Sequence, residues 1–364
     1  MRSRRRISVC LLVVVVVLMV VAGGSTQAKG KGTPRALLLI NGTLGDKSYF
    51  DSAAEGMKRM EKELGMETRI VEMGVDQTVW EPTVWDMSED NWDIILMGTW
   101  QMQAILEKVA PNYPDQKYIL FDGEVPGLDN VLSILYRQNE GSFLAGALAA
   151  LMTKAETPLT NPNDKLIGFL GGTDSPVIND FLVGYIQGAK YIDKDIKMLI
   201  SYVGDFNDPA KGKEMALSQY MQGVDIGFNA AGQAGLGQIE AAKVANKYCI
   251  GVNSDQALIF EDTDPEKANK IITSMLKRVD NSIFYAVENH LKGELEFGKT
   301  ISLGVEEECT NLAYNKYYEK LVPQDIQKQM ADLTKKVINK EIVVDTYYGM
   351  PINEFNQKRR SVMP

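Results

Sequence analysis

The sequence predicts an α/β protein of two doubly wound parallel-sheet lobes. From Thr33 onward, short aliphatic and β-branched runs alternate with amphipathic helical segments. Most of the runs are apolar at nearly every position, the pattern of strands buried on both faces, which places them in parallel sheets covered by helices. There are about ten such runs, more than one mononucleotide-type unit holds, so two sheets are needed.

The first strand is expected over 36–40, followed by a loop over 41–47 and a helix on which Ala53, Gly56, Met57, Met60 and Leu64 recur at helical spacing. Strands follow near 69–71, 94–97, 118–121 and 131–136. At 137–141 the chain turns into a new apolar helix face made by Phe143, Leu144, Ala147, Leu148 and Leu151, and the break between the lobes is expected there. Further strands are expected at 166–170, 198–203, 226–229, 248–252 and 271–273. No linker rich in Pro, Gly or Ser marks the boundary, which points to a chain that crosses between lobes several times and lets them hinge about a shared cleft. The expected first lobe is 34–138 plus 256–300, and the second 139–255 plus 301–364. The segment 157–164, with two prolines and two asparagines, reads as a surface loop.

Residues 1–28 read as an export leader: Arg2, Arg4, Arg5 and Arg6, an apolar run over 7–22, then small residues suited to cleavage after Ala28. Cys10 opens the apolar run instead of following the cleavage point, which favours a soluble periplasmic protein over a lipoprotein. The Val-rich core suits the general export route better than the twin-arginine route that Ser3-Arg4-Arg5-Arg6 resembles; an uncleaved anchor is the alternative. Cleavage removes four arginines and no acid, taking the formal charge from −9 to −13 over the remaining 336 residues. Nucleic-acid binding, which leans on basic surface to displace counterions, is thereby disfavoured. Cys249 and Cys309 survive cleavage; export permits a disulfide between them, and two buried thiols would give the same sequence.

Three loops in the second half each follow a β-branched run: Gly204-Asp205-Phe206-Asn207-Asp208-Pro209, Ala230-Ala231-Gly232-Gln233-Ala234-Gly235 and Asn253-Ser254-Asp255-Gln256. Such loops gather at the carboxyl edge of a sheet, where a crevice binds ligands. They offer carboxylates, amides, close-approach glycines and an aromatic ring, with no evident nucleophile beside its base. That is a kit for holding a polar small molecule. Lys277, read as lying in the first turn of a helix, would face the positive end of the dipole, unfavourable by about 0.3–1 kcal/mol unless something else uses it.

Other motifs weigh little. Residues 293–300 satisfy the pattern of a nucleotide P-loop, yet a P-loop follows a strand and opens a helix. Here a helix carrying Leu276, Val279, Ile283, Ala286, Val287, His290 and Leu291 comes before, and 300–303 reads as a strand. The glycine spacing of 232–237 is not that of a dinucleotide loop. His290 lies on the apolar stripe of its helix, which suits a structural role, and one histidine with two cysteines argues against a metal site on those ligands. No cofactor is expected. Of the four tryptophans, Trp80, Trp85 and Trp92 read as packing residues, while Trp100 reads equally well as packing or as reaching the cleft.

The stretches 44–48, 140–146, 202–213, 230–237, 251–256 and 273–280, in order and at consistent separations, resemble the basic membrane protein family of substrate-binding proteins, extracytoplasmic receptors of ABC importers, many for purine nucleosides. The likeness runs from about 36 to 303. It implies a type I periplasmic-binding fold, with two lobes joined by a three-crossover hinge, a monomeric receptor and an ABC permease as membrane partner. Carried over by position, Asp46 and Asp122 would meet a base edge, Phe206 would stack on the base, and Gly232, Asp255 and Lys277 would hold the ribose. A carboxylate accepting from vicinal hydroxyls gains about 1.5–3 kcal/mol per charge-assisted bond, and stacking about 1–3 kcal/mol.

Each role has a plainer counterpart: a core ring for Phe206, helix caps for Asp46 and Asp255, and turn formation for Asp205, Asp208 and 171–176. The chain also departs from the family's usual pattern. Tyr49-Phe50 stands where Phe-Asn is usual, replacing an amide by a ring, and Asn253 stands where an acid is common. Stacking at Tyr49 and Phe50 would gain and hydrogen-bond selectivity would change. The rival readings are a receptor for another polar molecule, such as a sugar or a signalling metabolite, a receptor serving a chemosensory partner, and an exported carboxylate-based hydrolase.

Overall fold

The computed structural model describes residues 32–163 and 165–364. The expected leader, 1–28, lies outside the described residues. In chain order the strands are β1 (Arg35–Ile40), β2 (Glu67–Glu72), β3 (Ile94–Gly98), β4 (Tyr118–Phe121), β5 (Val131–Tyr136), β6 (Leu166–Gly171), β7 (Lys197–Tyr202), β8 (Ile226–Ala230), β9 (Tyr248–Asn253), β10 (Ile271–Lys277), β11 (Lys299–Leu303) and β12 (Thr310–Leu312). They form two sheets, ordered β11-β5-β4-β3-β1-β2 and β12-β10-β9-β8-β6-β7. All the pairings are parallel except β10 with β12.

Helices cover both faces. The first lobe carries α1 (Tyr49–Leu64), α2 (Trp80–Ser88) and α3 (Gln103–Val109); α4 (Gln138–Lys154), α5 (Pro176–Ile192), α6 (Pro209–Met221), α7 (Leu236–Ala245), α8 (Gln256–Phe260) and α9 (Pro265–Ala268) belong to the second. Then α10 (Val279–Lys292) returns to the first, while α11 (Lys316–Leu321), α12 (Gln324–Ile338) and α13 (Ile352–Val362) close the second. In β1, Ala36, Leu38 and Ile40 enter one core layer and Leu37 and Leu39 the opposite one. Both faces are dry, which is why 36–40 is apolar at every position. No helix among the described residues is long and apolar enough to cross a membrane.

The chain passes between sheets at three places. It leaves the first after Tyr136, returns after Lys277 into α10, and leaves again after Leu303. These passages are stitched together: Arg137 N donates to Leu303 O (2.8 Å), Arg278 N to Cys309 O (2.8 Å) and Cys309 N to Gly304 O (2.9 Å). This is the type I periplasmic-binding architecture.

Two expectations are corrected. The sequence reading gives 256–300 to the first lobe, but β10 pairs with β9 and buries Ile271, Ile272 and Met275 in the second. The return falls at Arg278 because α8 and α9, which follow 255, only prepare another strand of the same sheet. Lys277 consequently ends a strand and does not occupy a first helical turn, so the dipole argument for it lapses. The antiparallel β12 escaped prediction, since three residues at a sheet edge make no hydrophobic run. Cys249 and Cys309 are free buried thiols in the cores of different lobes. The P-loop-like stretch links α10 to β11, and the His290 ring meets Phe297 edge-on at 5.4 Å.

Candidate functional site

In each lobe the strand order runs 2-1-3-4-5, with the reversal between β1 and β3 in the first and between β6 and β8 in the second. Outside the carboxyl ends of strands at such reversals, diverging loops leave a crevice. The two crevices face one cavity of about 540 Å³. Asn41 and Thr43 follow β1, Thr99, Trp100 and Gln101 follow β3, Thr173, Asp174 and Ser175 follow β6, and Ala230 ends β8, with Gly232 and Gln233 beyond it.

Eight of the nine expected site residues line this cavity: Asp46, Tyr49, Phe50, Trp100, Asp122, Phe206, Gly232 and Lys277. Asp255 does not. Its carboxylate accepts from Leu258 N (3.4 Å) as the cap of α8 and holds Asn315 Nδ2 (2.7 and 2.8 Å), so the plainer reading applies to it. The lining residue on that loop is Asn253, two positions earlier.

The charged centre of the cavity is a buried ion pair across the lobes. Lys277 Nζ, at the end of β10, lies 2.6 Å from Asp122 Oδ2, just beyond β4. Lys277 is 1% exposed, and burial pushes its ammonium below the ordinary value even with Asp122 pulling it up. The two residues expected at opposite ends of a ligand therefore act as one group. Asp46 is largely committed elsewhere: its oxygens accept from the backbone N–H of Ser48 (3.0 Å), Phe50 (2.9 Å) and Asp51 (3.1 Å) at the start of α1. Burial raises its pKa, and those three N–H groups offset part of the rise.

Six rings stand in the walls: Tyr49, Phe50, Trp80, Trp100, Phe181 and Phe206. Tyr49 accepts from Thr99 N (3.3 Å) and donates to Phe121 O (3.4 Å), a bridge that fixes its ring edge-on to Phe50 at 5.3 Å. Burial lifts its phenol well above the usual value. Trp100 is 43% exposed at the mouth. Opposite, Phe206 lies against Gly172, where any Cβ would run into the ring, so the glycine that looked like a turn former also seats the aromatic. Gly232, at φ +56, takes a left-handed conformation that favours glycine.

Sequence reasoning missed Asn41, Gln77, Gln101 and Phe181 and assigned Trp80 to packing alone. Phe181 is one apolar residue on an apolar helix and carries no signal. Asn41 and Gln101 could have been found as the residues that follow β1 and β3 at the strand reversal. Among the lining residues, four carboxylates (Asp46, Asp122, Asp174, Asp205) stand against one ammonium, that of Lys277. Such a lining repels phosphate and carboxylate ligands and admits neutral or cationic ones.

Comparison with known proteins agrees with this architecture. Basic membrane protein A2 of Borrelia garinii subsp. bavariensis is 32% identical over 319 residues, covering 86% of this chain and 88% of that protein. Basic membrane protein A of Borreliella burgdorferi is 32% identical over 321 residues, covering 86% and 88%. The crystal structure of an ABC transporter solute-binding protein from Aeropyrum pernix K1 superposes with a TM-score of 0.77 at 28% identity, covering 91% of this chain and 100% of that one. Residues 33–347 match the Bmp family, described as ABC transporter substrate-binding protein PnrA-like, a family whose work is to bind a small molecule outside the cytoplasm for a permease. By that match, and by the two-lobed fold around the cavity, the chain belongs to the Bmp family of ABC transporter substrate-binding proteins.

Proposed function

We propose that this protein is a monomeric periplasmic receptor that closes on a nucleoside, most suitably a purine nucleoside, and presents it to its permease. The supporting observation is the division of the cavity into two chemistries. Tyr49, Phe50, Trp100 and Phe206 offer faces and edges to a flat heterocycle, while the Lys277–Asp122 pair and Asn253 form a polar pole suited to vicinal hydroxyls. About 540 Å³ falls in the range of small-molecule sites, roughly 300–1,000 Å³. The acidic lining argues for the nucleoside over its phosphate.

Isothermal titration against purine and pyrimidine nucleosides, free bases, pentoses and a nucleoside monophosphate tests the reading. Nucleosides should bind, with ribose alone and the monophosphate far weaker. Phe206→Ala should weaken nucleosides by about 1–3 kcal/mol, roughly 5- to 150-fold, the worth of one stacking ring. Unchanged affinity in that variant, or a pentose binding as tightly as a nucleoside, rejects the stacking half of the site and favours a sugar receptor. Chromatography after incubation should return the nucleoside intact; a released base would instead indicate a hydrolase.

A further inference from the structure

We propose that Ser48 is a positioning residue which, on lobe closure, turns the Asn253 amide so that it offers a hydrogen-bond acceptor to the ligand. The idea rests on the nucleoside reading for its ligand, although its structural half stands apart.

Ser48 occupies the N-cap position of α1, where a serine hydroxyl ordinarily accepts from an N–H of the first turn. It makes no such bond here. Asp46 already accepts from the N–H groups of Ser48, Phe50 and Asp51, which frees the hydroxyl. The freed group is fully buried and reaches the other lobe, donating to Val252 O at 3.3 Å. A hydroxyl has one proton. Towards Asn253 Nδ2, at 2.8 Å, Ser48 Oγ must therefore be the acceptor, and that settles which end of the amide faces it. Asn253 Oδ1 is left over, buried, on a residue that lines the cavity and without a protein partner among the described residues.

The same contact is reinforced through the backbone. Ser254 Oγ donates to Ser48 O (3.0 Å) and Gln256 Nε2 to Lys47 O (3.1 Å), while Gln256 Oε1 accepts from Val252 N (3.0 Å). Lys47 at φ +50 and Asn253 at φ +64 are both non-glycine residues in left-handed backbone. Such conformations cost energy and persist where surrounding contacts over-determine them. Here those contacts join two residues of the first lobe to four of the second.

When the lobes part, Ser48 withdraws and the amide is free to turn either its donor or its acceptor end to the cavity. Closure selects the acceptor. A ligand hydroxyl beside the Lys277–Asp122 pole is thereby read only in the closed state, which ties selectivity to the conformational change. Ser48 itself is not a lining residue, so replacing it leaves the cavity surface and the Asp46 cap in place.

The test uses the full mature chain with adenosine, 2′-deoxyadenosine and 3′-deoxyadenosine as probes, in stopped-flow and titration experiments. Ser48→Ala should speed adenosine dissociation by about tenfold, the effect of losing roughly one hydrogen bond, with little change in association. It should also lose most of the wild-type preference over whichever deoxy form binds worse. Adding Asn253→Asp to Ser48→Ala should restore that preference, because a carboxylate accepts in either orientation; a merely structural role for Ser48 predicts no such rescue. Unchanged dissociation and preference in Ser48→Ala, or a double variant no better than the single one, overturns the proposal. If the wild-type chain binds no adenosine, the nucleoside reading fails by itself. The latch is then read without ligand from spin labels at Lys62→Cys and Lys335→Cys, where Ser48→Ala should lengthen the interlobe distance and an unchanged distance refutes it.

Discussion

The two lobes share one strand order, and equivalent positions show one backbone device carrying opposite chemistry. β4 in the first lobe and β9 in the second both lead into the cavity through a residue at φ +64, Asp122 and Asn253 respectively. β5 and β10 are each followed by an arginine in nearly the same conformation, Arg137 (φ −83, ψ 63) and Arg278 (φ −79, ψ 68), which opens a helix in the opposite lobe. At these paired turns the first lobe contributes a carboxylate and the second an amide. The lysine at the end of β10 is consequently neutralised from across the cleft, leaving the Asn253 side neutral. Among the residues that line the cavity, the one ion pair thus spans the two lobes, and the residue that mirrors it works by geometry.

Removing one member of that contact should break the comparison most severely. Lys277→Met leaves the Asp122 carboxylate buried and unpaired, and a broken buried pair costs about 3–5 kcal/mol. Urea denaturation should show that loss. Adding Asp122→Asn should recover most of it, because no lone charge then remains, while nucleoside binding stays lost in both variants. A Lys277→Met protein as stable as wild type would mean that the pair is served by water and that the two lobes are not so differently charged.

A smaller effect separates the two helices that follow the first strand of each lobe. The fifth residue of α1 is Ala53 and that of α5 is Asp180, both buried. Asp180 is accommodated because the segment after α12 folds over α5: Thr346 Oγ1 (2.6 Å) and Tyr347 N (2.8 Å) donate to it, as does Gln138 Nε2 (2.7 Å). Burial nevertheless pushes its pKa up to about 6 from 3.8, against the pull of those donors and of Lys277. The folded chain therefore takes up a proton that the unfolded chain does not between those values. Stability from this group rises as pH falls from above 6 towards 4, by about 3 kcal/mol in total, since each tenfold gain in proton affinity is worth about 1.4 kcal/mol. Asp180→Asn should flatten that part of the stability–pH curve measured by denaturant melts; an unaltered slope would show that the carboxylate is not the group responsible. Asp193, held down to about 2 chiefly by the N–H of Asp195 with Lys154 and Lys165 assisting, works in the opposite sense only below 3.8.

Much of this was legible in the chain because the physics was local. Both-face burial writes itself as nearly unbroken apolar runs, so β1, β3 to β6, β8 and β9 could be read within one or two residues, and with them the parallel sheets. The edge strand β12 and the return of the chain at Arg278 depend on which sheet a segment joins, a long-range choice with no period of its own. The same division holds at the site. Phe206 and Gly232 follow strands in loops of unusual composition and stood out. Phe181 and Asn41 look ordinary until the fold brings their elements together, and the pairing of Lys277 with Asp122 spans 155 positions.

Asp255 and Asn253 give the finest version of the comparison, since they lie two residues apart in one loop and only one lines the cavity. Sequence composition favours the carboxylate as the ligand group. The strand end decides otherwise: Asn253 is the last residue of β9, whereas Asp255 precedes α8 and its carboxylate is turned onto Leu258 N and Asn315 Nδ2. Asn315 in turn caps α11 through Tyr317 N and Tyr318 N, so Asp255 supports two short helices at once. Asp255→Ala should then lower thermal stability by about 1 kcal/mol, the ordinary worth of a cap, and leave nucleoside affinity within about twofold. Asn253→Ala should instead weaken the nucleoside several-fold, while its left-handed backbone at φ +64, easier for asparagine than for alanine, adds a loss of stability of its own. Were Asp255→Ala the more damaging to binding, the loop would have to turn over on ligand entry, and the carboxylate would take back the role its position in the sequence suggested.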